Sequence, residues 1–243
     1  MVDGSENLPI PEGLTGQGYH VMSEGQREKG NFTDAIESAQ KAFGSYFQEG
    51  NISKASEAKA SEMLSHRHLF ESTGDHAHLD NARTAIEKSV SILKDNSEKK
   101  GLGTAYYNLA KFYQTSGEGE LAISTMRNAL KAFEDAPDDP MGFPAHIAEI
   151  KTRLSAFEYS SGDDDALNRF EIALENLRSN PHPDEYSQGV WESGAYMHMA
   201  EACKKRGETE KALGYLDKAT EVIGENEGFK LRRNQIEKIR SQI

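Results

Sequence analysis

Apolar and small residues recur along this chain with a short period that fits helices and a longer one that fits pairs of helices. Tyr106, Leu109, Ala110 and Tyr113 fall on one helical face. Gly117 interrupts the pattern, and Ala122, Met126, Ala129, Leu130 and Phe133 resume it as the stripe of a second helix. The same figure returns as Tyr196, Met199, Ala200, Cys203, Gly207, Ala212, Leu216, Ala219, and as Tyr19, Met22, Ser23, Gly30, Ala35, Ala39, Ala42. The interrupting glycines are Gly30, Gly74, Gly117, Gly162 and Gly207, spaced by 44, 43, 45 and 45 residues. Each is followed by an alanine (Ala35, Ala82, Ala122, Ala166, Ala212) and, about two turns later, by a second small residue (Ala42, Ser89, Ala129, Ala173, Ala219). Glycine permits the left-handed backbone that ends a helix, and alanine lets two helix axes approach. The pattern therefore predicts five helical hairpins, each too thin to bury its own apolar face and obliged to stack on its neighbours in one continuous array.

Two units fit less well. In the second, Arg67 stands where a small residue is expected and extra residues separate Gly74 from Ala82, so Asp75–Asp80, with His76 and His78, is expected to form the largest inserted loop. In the fourth, the turn Gly162–Asp165 is one residue short. Residues 1–16 lack periodicity and read as a flexible arm, 17–225 as the hairpins, and 226–243 as a terminal helix. Phe229, Ile236, Ile239 and Ile243 give that helix an apolar side suited to capping the last hairpin. Its basic side (Lys230, Arg232, Arg233, Lys238, Arg240) offers a contact for an acidic surface, such as a second copy of the chain in a homo-oligomer.

These helices and connections resemble the tetratricopeptide repeat family, which places a large apolar residue, a leucine–small pair, an aromatic, a glycine and two alanines in this order. The period is longer than that family's usual 34 residues and is similar to the long repeats of kinesin light chains and related bacterial regulators. The resemblance implies an all-α, right-handed α-α superhelix of five hairpins plus a C-terminal capping helix. It also implies a non-catalytic scaffold that holds a peptide or partner protein in its concave groove. A subset of the family clamps a peptide carboxylate, and Asn108 and Arg153 match two clamp places. Leu64, His68 and Glu149 occupy the others, so recognition of chaperone tails is not expected.

Composition narrows the partner. The formal net charge of -12, from 40 acidic and 28 basic residues, disfavours nucleic acid and anionic membranes. The one cysteine, Cys203, permits no internal disulfide, and the absence of an export signal or a long apolar run leads us to expect a cytoplasmic protein. No nucleophile elbow, phosphate loop or metalloprotease helix is present, so neither catalysis nor a cofactor is expected.

The groove-facing positions follow from helical phase as His20, His68, Tyr107, Asn108, Lys111, Arg153, Met197, His198 and Glu201, with Glu24, Leu64 and Thr152 beside them. Asn108, Lys111 and Arg153 would supply donors to a carboxylate, and Tyr107 and Met197 apolar contact. A second reading is a regulatory sensor that closes on a small peptide or signal. A third is metal binding through His66, His68, His76 and His78, although positions two apart on a helix diverge too far for His66 and His68 to share an ion.

Overall fold

A computed structural model describes residues 13–243, and their regular elements are all helices. Five consecutive hairpins form: α1 (Gly16–Glu28) with α2 (Phe32–Gln48), α3 (Ile52–Thr73) with α4 (His76–Asp95), α5 (Leu102–Thr115) with α6 (Gly119–Asp135), α7 (Pro144–Ser160) with α8 (Ala166–Ser179), and α9 (Glu185–Lys205) with α10 (Thr209–Ile223). A 3-10 turn, Glu227–Phe229, then leads into α11 (Lys230–Arg240). Most of the segment read as an arm, residues 1–12, lies outside the described residues, and α1 begins at the last residue assigned to it.

All five periodic glycines sit in the turns inside hairpins, with φ between +71° and +102°. Four of these turns share one hydrogen-bond pattern. After α1, Gly30 N–H donates to Arg27 O and Asn31 N–H to Gln26 O; after α5, Gly117 N–H donates to Gln114 O and Glu118 N–H to Tyr113 O. The turns after α7 and α9 repeat it. The left-handed glycine thus satisfies carbonyls that the helix end would otherwise leave open. The turn after α3 differs. Gly74 N–H donates to Phe70 O, and Asp75 at once caps α4 by accepting from Ala77 N–H at 2.9 Å. This corrects the expected insertion: Asp75–Asp80 is no loop, because the aspartate starts a helix immediately and places His76 and His78 in its first turn.

By their contacts the helices gather into two compact units, one ending at Asp139 and the other starting at Pro140, where the repeat pattern suggests an unbroken run. The division falls in the proline-containing connection between α6 and α7. In the first unit α3 is the central helix, packed mainly on α2 and α4 and buried on several sides. Its apolar residues form two clusters, one around Tyr46, Ala58 and Ile92 and one around Met63, Ile86, Leu93 and Phe112. Between them runs polar packing: Ser56 Oγ meets Ser89 Oγ at 2.8 Å, and Ser89 also donates to Ser56 O. At the unit's end the Asp139 carboxylate accepts from Gly101 N–H, at the start of α5, at 2.7 Å. Lys100 and Asp138 pair beside it.

In the second unit α7 packs on α9, and one continuous core includes Phe170, Leu174, Leu177, Met199 and Leu216. Phe229, Ile236 and Ile239 are buried in that same core, so the last helix caps it as its pattern predicts. Gly189 is required here, since a Cβ would lie 2.6 Å from the Phe229 ring. Arg206 ties the fourth hairpin to the fifth, stacking over the Tyr159 ring at 4.0 Å while donating to Tyr159 O and Asp164. No described helix is long and apolar enough to cross a membrane.

Candidate partner-binding surfaces

The predicted groove residues divide between the units: His20, His68, Tyr107, Asn108 and Lys111 in the first, Arg153, Met197, His198 and Glu201 in the second. In the first unit His20 Nε2 lies 2.9 Å from Ser61 Oγ, joining α1 to α3, and its ring stands edge-on to Tyr46. Burial holds the His20 imidazole below its ordinary pKa, against the pull of Glu24 and Glu57. On α5, Lys111 places its ammonium 4.6 Å from the Tyr107 ring centre. Asn108 is half-buried one residue on from Tyr107. His68 turns away from this set to stack on Phe32, with Glu71 3.0 Å from its Nδ1.

Two expectations need correction. Tyr107 and Met197, read as apolar contacts for a partner, are only 3% and 6% exposed, and Thr152 is buried as well. A first helix is flanked by its own partner helix and by neighbouring hairpins, so positions that look free on a single helix are packed from the sides. What remains accessible is mostly polar.

In the second unit α7, α9 and α11 bring charge together. Arg153 Nη2 lies 3.6 Å from Glu149, and His198 Nδ1 lies 3.6 Å from Glu201. Burial lowers the His198 pKa first, and the nearby Arg153 charge lowers it further. Glu201 is held below the usual carboxylate range: burial opposes this, but His198, Arg153 and Lys204 outweigh it. The sequence places Arg232 on the outward basic side of the cap. The structure turns it inward, where Nη2 donates to Val190 O at 3.1 Å and Nη1 to Gln235 Oε1 at 2.9 Å, 3.6 Å from Met197 S. Its Nε is buried without a hydrogen-bond partner. Burial and the charge of Arg153 both lower the Arg232 pKa. Heptad-like phase alone could not find this residue; the signal was that α11 follows α9 and α10 at the place where another first helix would begin.

The four histidines considered for metal separate. His66 Nδ1 meets His78 Nδ1 at 3.3 Å across α3 and α4, His68 goes to Phe32, and His76 packs on Phe70. Among the described residues, no three or more His, Cys, Asp or Glu side chains are grouped so as to hold a metal.

A family profile for the tetratricopeptide repeat matches residues 103–135, which span α5 and α6. The chain has a tetratricopeptide-repeat fold. A crystal structure of BtubC (BKLC) from P. vanneervenii is similar with a TM-score of 0.56 at 20% identity, covering 85% of this chain and 78% of that one. Nearly identical TPR-like repeats of a putative kinesin light chain from Podosopora anserina give a TM-score of 0.55 at 12% identity, over 93% of this chain and 95% of theirs. The long tetratricopeptide repeat predicted from the glycine spacing thus agrees with the fold of kinesin light chain-like repeats. No curated protein sequence matches the chain.

Proposed function

We propose that this tetratricopeptide-repeat chain is a non-catalytic protein-interaction scaffold, and that its second unit docks an acidic segment of a partner on the face formed by α7, α9 and α11. The fold supports the scaffold, and the observation that carries the docking surface is Arg232. Several other arginines of this acidic chain meet carboxylates: Arg83 meets Glu118, Arg169 meets Glu158 and Asp163, Arg178 meets Glu192, and Arg240 meets Asp217. Arg232 instead has a carbonyl, an amide and a thioether as partners. With the positive charge of Arg153 acting on the same face, an incoming carboxylate would find two guanidinium groups in a partly desolvated setting, where a charge-assisted bond counts for more. Glu149 and Glu201 border the face and would restrict the register of the peptide.

A peptide-display selection on the full chain tests this, counter-screened with Arg153→Glu and Arg232→Gln after circular dichroism shows that both variants fold. Recovered peptides should be rich in Asp and Glu, lose at least tenfold in affinity on either variant, and weaken with added salt. Peptides without acidic residues, or equal affinity for wild type and both variants, would remove the surface from consideration.

A further inference from the structure

The His66–His78 pair joins the two longest-packed helices of the first unit, and nothing proposed above uses it. His66 is buried on α3, and His78 is half-buried in the first turn of α4. The ring centres are 5.6 Å apart and the two Nδ1 atoms 3.3 Å apart. That centre-to-centre distance is the largest a 3.3 Å Nδ1 contact allows for rings of this size, so both nitrogens lie on the line between the rings and face each other head on. A tetrahedral ion would need the two nitrogens to converge on a point away from that line. A single proton fits on the line, as a slightly long N–H···N bond from one neutral imidazole to the other.

We propose that this pair is an acid-sensitive latch between α3 and α4. With both rings neutral, one N–H···N bond crosses the hairpin, and a first added proton is still shared between the two nitrogens. A second proton leaves two imidazolium rings with N–H aimed at N–H, and the contact becomes repulsive. The surroundings tune this step. On α3, Glu62 attracts the proton to His66 while Lys59 opposes it, and His78 opposes it from α4. Glu62 is itself occupied, accepting from Lys59 and from Gln40 of α2, which limits its power to compensate a second charge. Burial of His66 acts in the same direction as His78, disfavouring the charged ring. Acid therefore works against the hairpin that carries the central helix of the first unit.

Hydrogen exchange on the full chain at pH 7.5 and pH 5.0, corrected for intrinsic rates, tests the latch. Amides of residues 62–82 should lose about tenfold or more of their protection in acid. Those of α5 and α6, which contain no histidine, serve as the internal reference and should keep theirs. His78→Gln keeps an amide beside His66 but cannot acquire charge, and should abolish most of the loss. Unchanged protection in the wild type, or the same loss in His78→Gln, overturns the proposal. Imidazole nitrogen NMR of the wild type gives a second readout that needs no variant. At pH 7.5 one Nδ1 should carry a proton and the other none; two bare Nδ1 atoms would overturn the proposal.

Discussion

The two units use the same hairpin and the same small-residue spacing, yet they are held together differently. The first places polar groups between its helices: Ser56 with Ser89, His20 with Ser61, and His66 with His78. The second runs one apolar core from α7 to α11 and adds guanidinium–tyrosine contacts at its edges. At the position of Ser89 the second unit has Ala173 and Ala219, both buried. A repeat pattern therefore specifies how close two helices come, while the chemistry of the small residues decides whether their contact depends on packing alone or also on proton position.

The sharpest way to break the second unit is to open its core. Phe170 is fully buried, and Phe170→Ala should cost about 3–5 kcal/mol in urea unfolding. A loss under about 1 kcal/mol would mean that the core is not the main support of that unit. Next in size, Ser89→Ala converts the first unit's polar contact to the second unit's type. It should cost about 1–3 kcal/mol, because Ser56 keeps a buried hydroxyl without its partner. A neutral result would show that the serine pair can be replaced by methyl packing.

The turn glycines are where the units should agree. Gly30 and Gly207 have φ of +83° and +75°, and no atom lies within 4 Å of where a Cβ would be placed on either. Gly30→Ala and Gly207→Ala should each cost about 1–2 kcal/mol, from backbone strain alone. Thermal unfolding that separated the two by more than that amount would show that one turn has a role the other lacks.

Smallest per step is the effect of acid on the second unit. The folded-state pKa of His198 is lowered from 6.5, so the unfolded chain binds the proton more readily. Its stabilising contribution is complete above pH 6.5 and is lost as pH falls from there through the lowered folded value, by up to about 1.4 kcal/mol per pH unit. His198→Gln should flatten that part of the stability–pH curve; an unchanged slope would place the acid sensitivity elsewhere.

The backbone of this fold was readable because glycine and alanine act through the main chain. Ala35, Ala82, Ala122, Ala166 and Ala212 are all 0% exposed, as their spacing requires, and every periodic glycine is left-handed. The turn of the second hairpin was misread because Asp75 resembles a loop residue as readily as a helix cap, and the choice depends on where α3 ends. The site was less legible. Tyr107 and Met197 depend on how deeply adjacent hairpins cover a first helix, and Arg232 on the docking of a final helix, neither of which has a signature in local phase.

The bond from Gly101 N–H to the Asp139 carboxylate gives the first unit an ending of its own. The last carboxylate before Pro140 accepts from the start of α5, so the two ends of the third repeat are fastened to each other. Asp139 thus closes the third repeat on itself, as a clasp closes a bracelet.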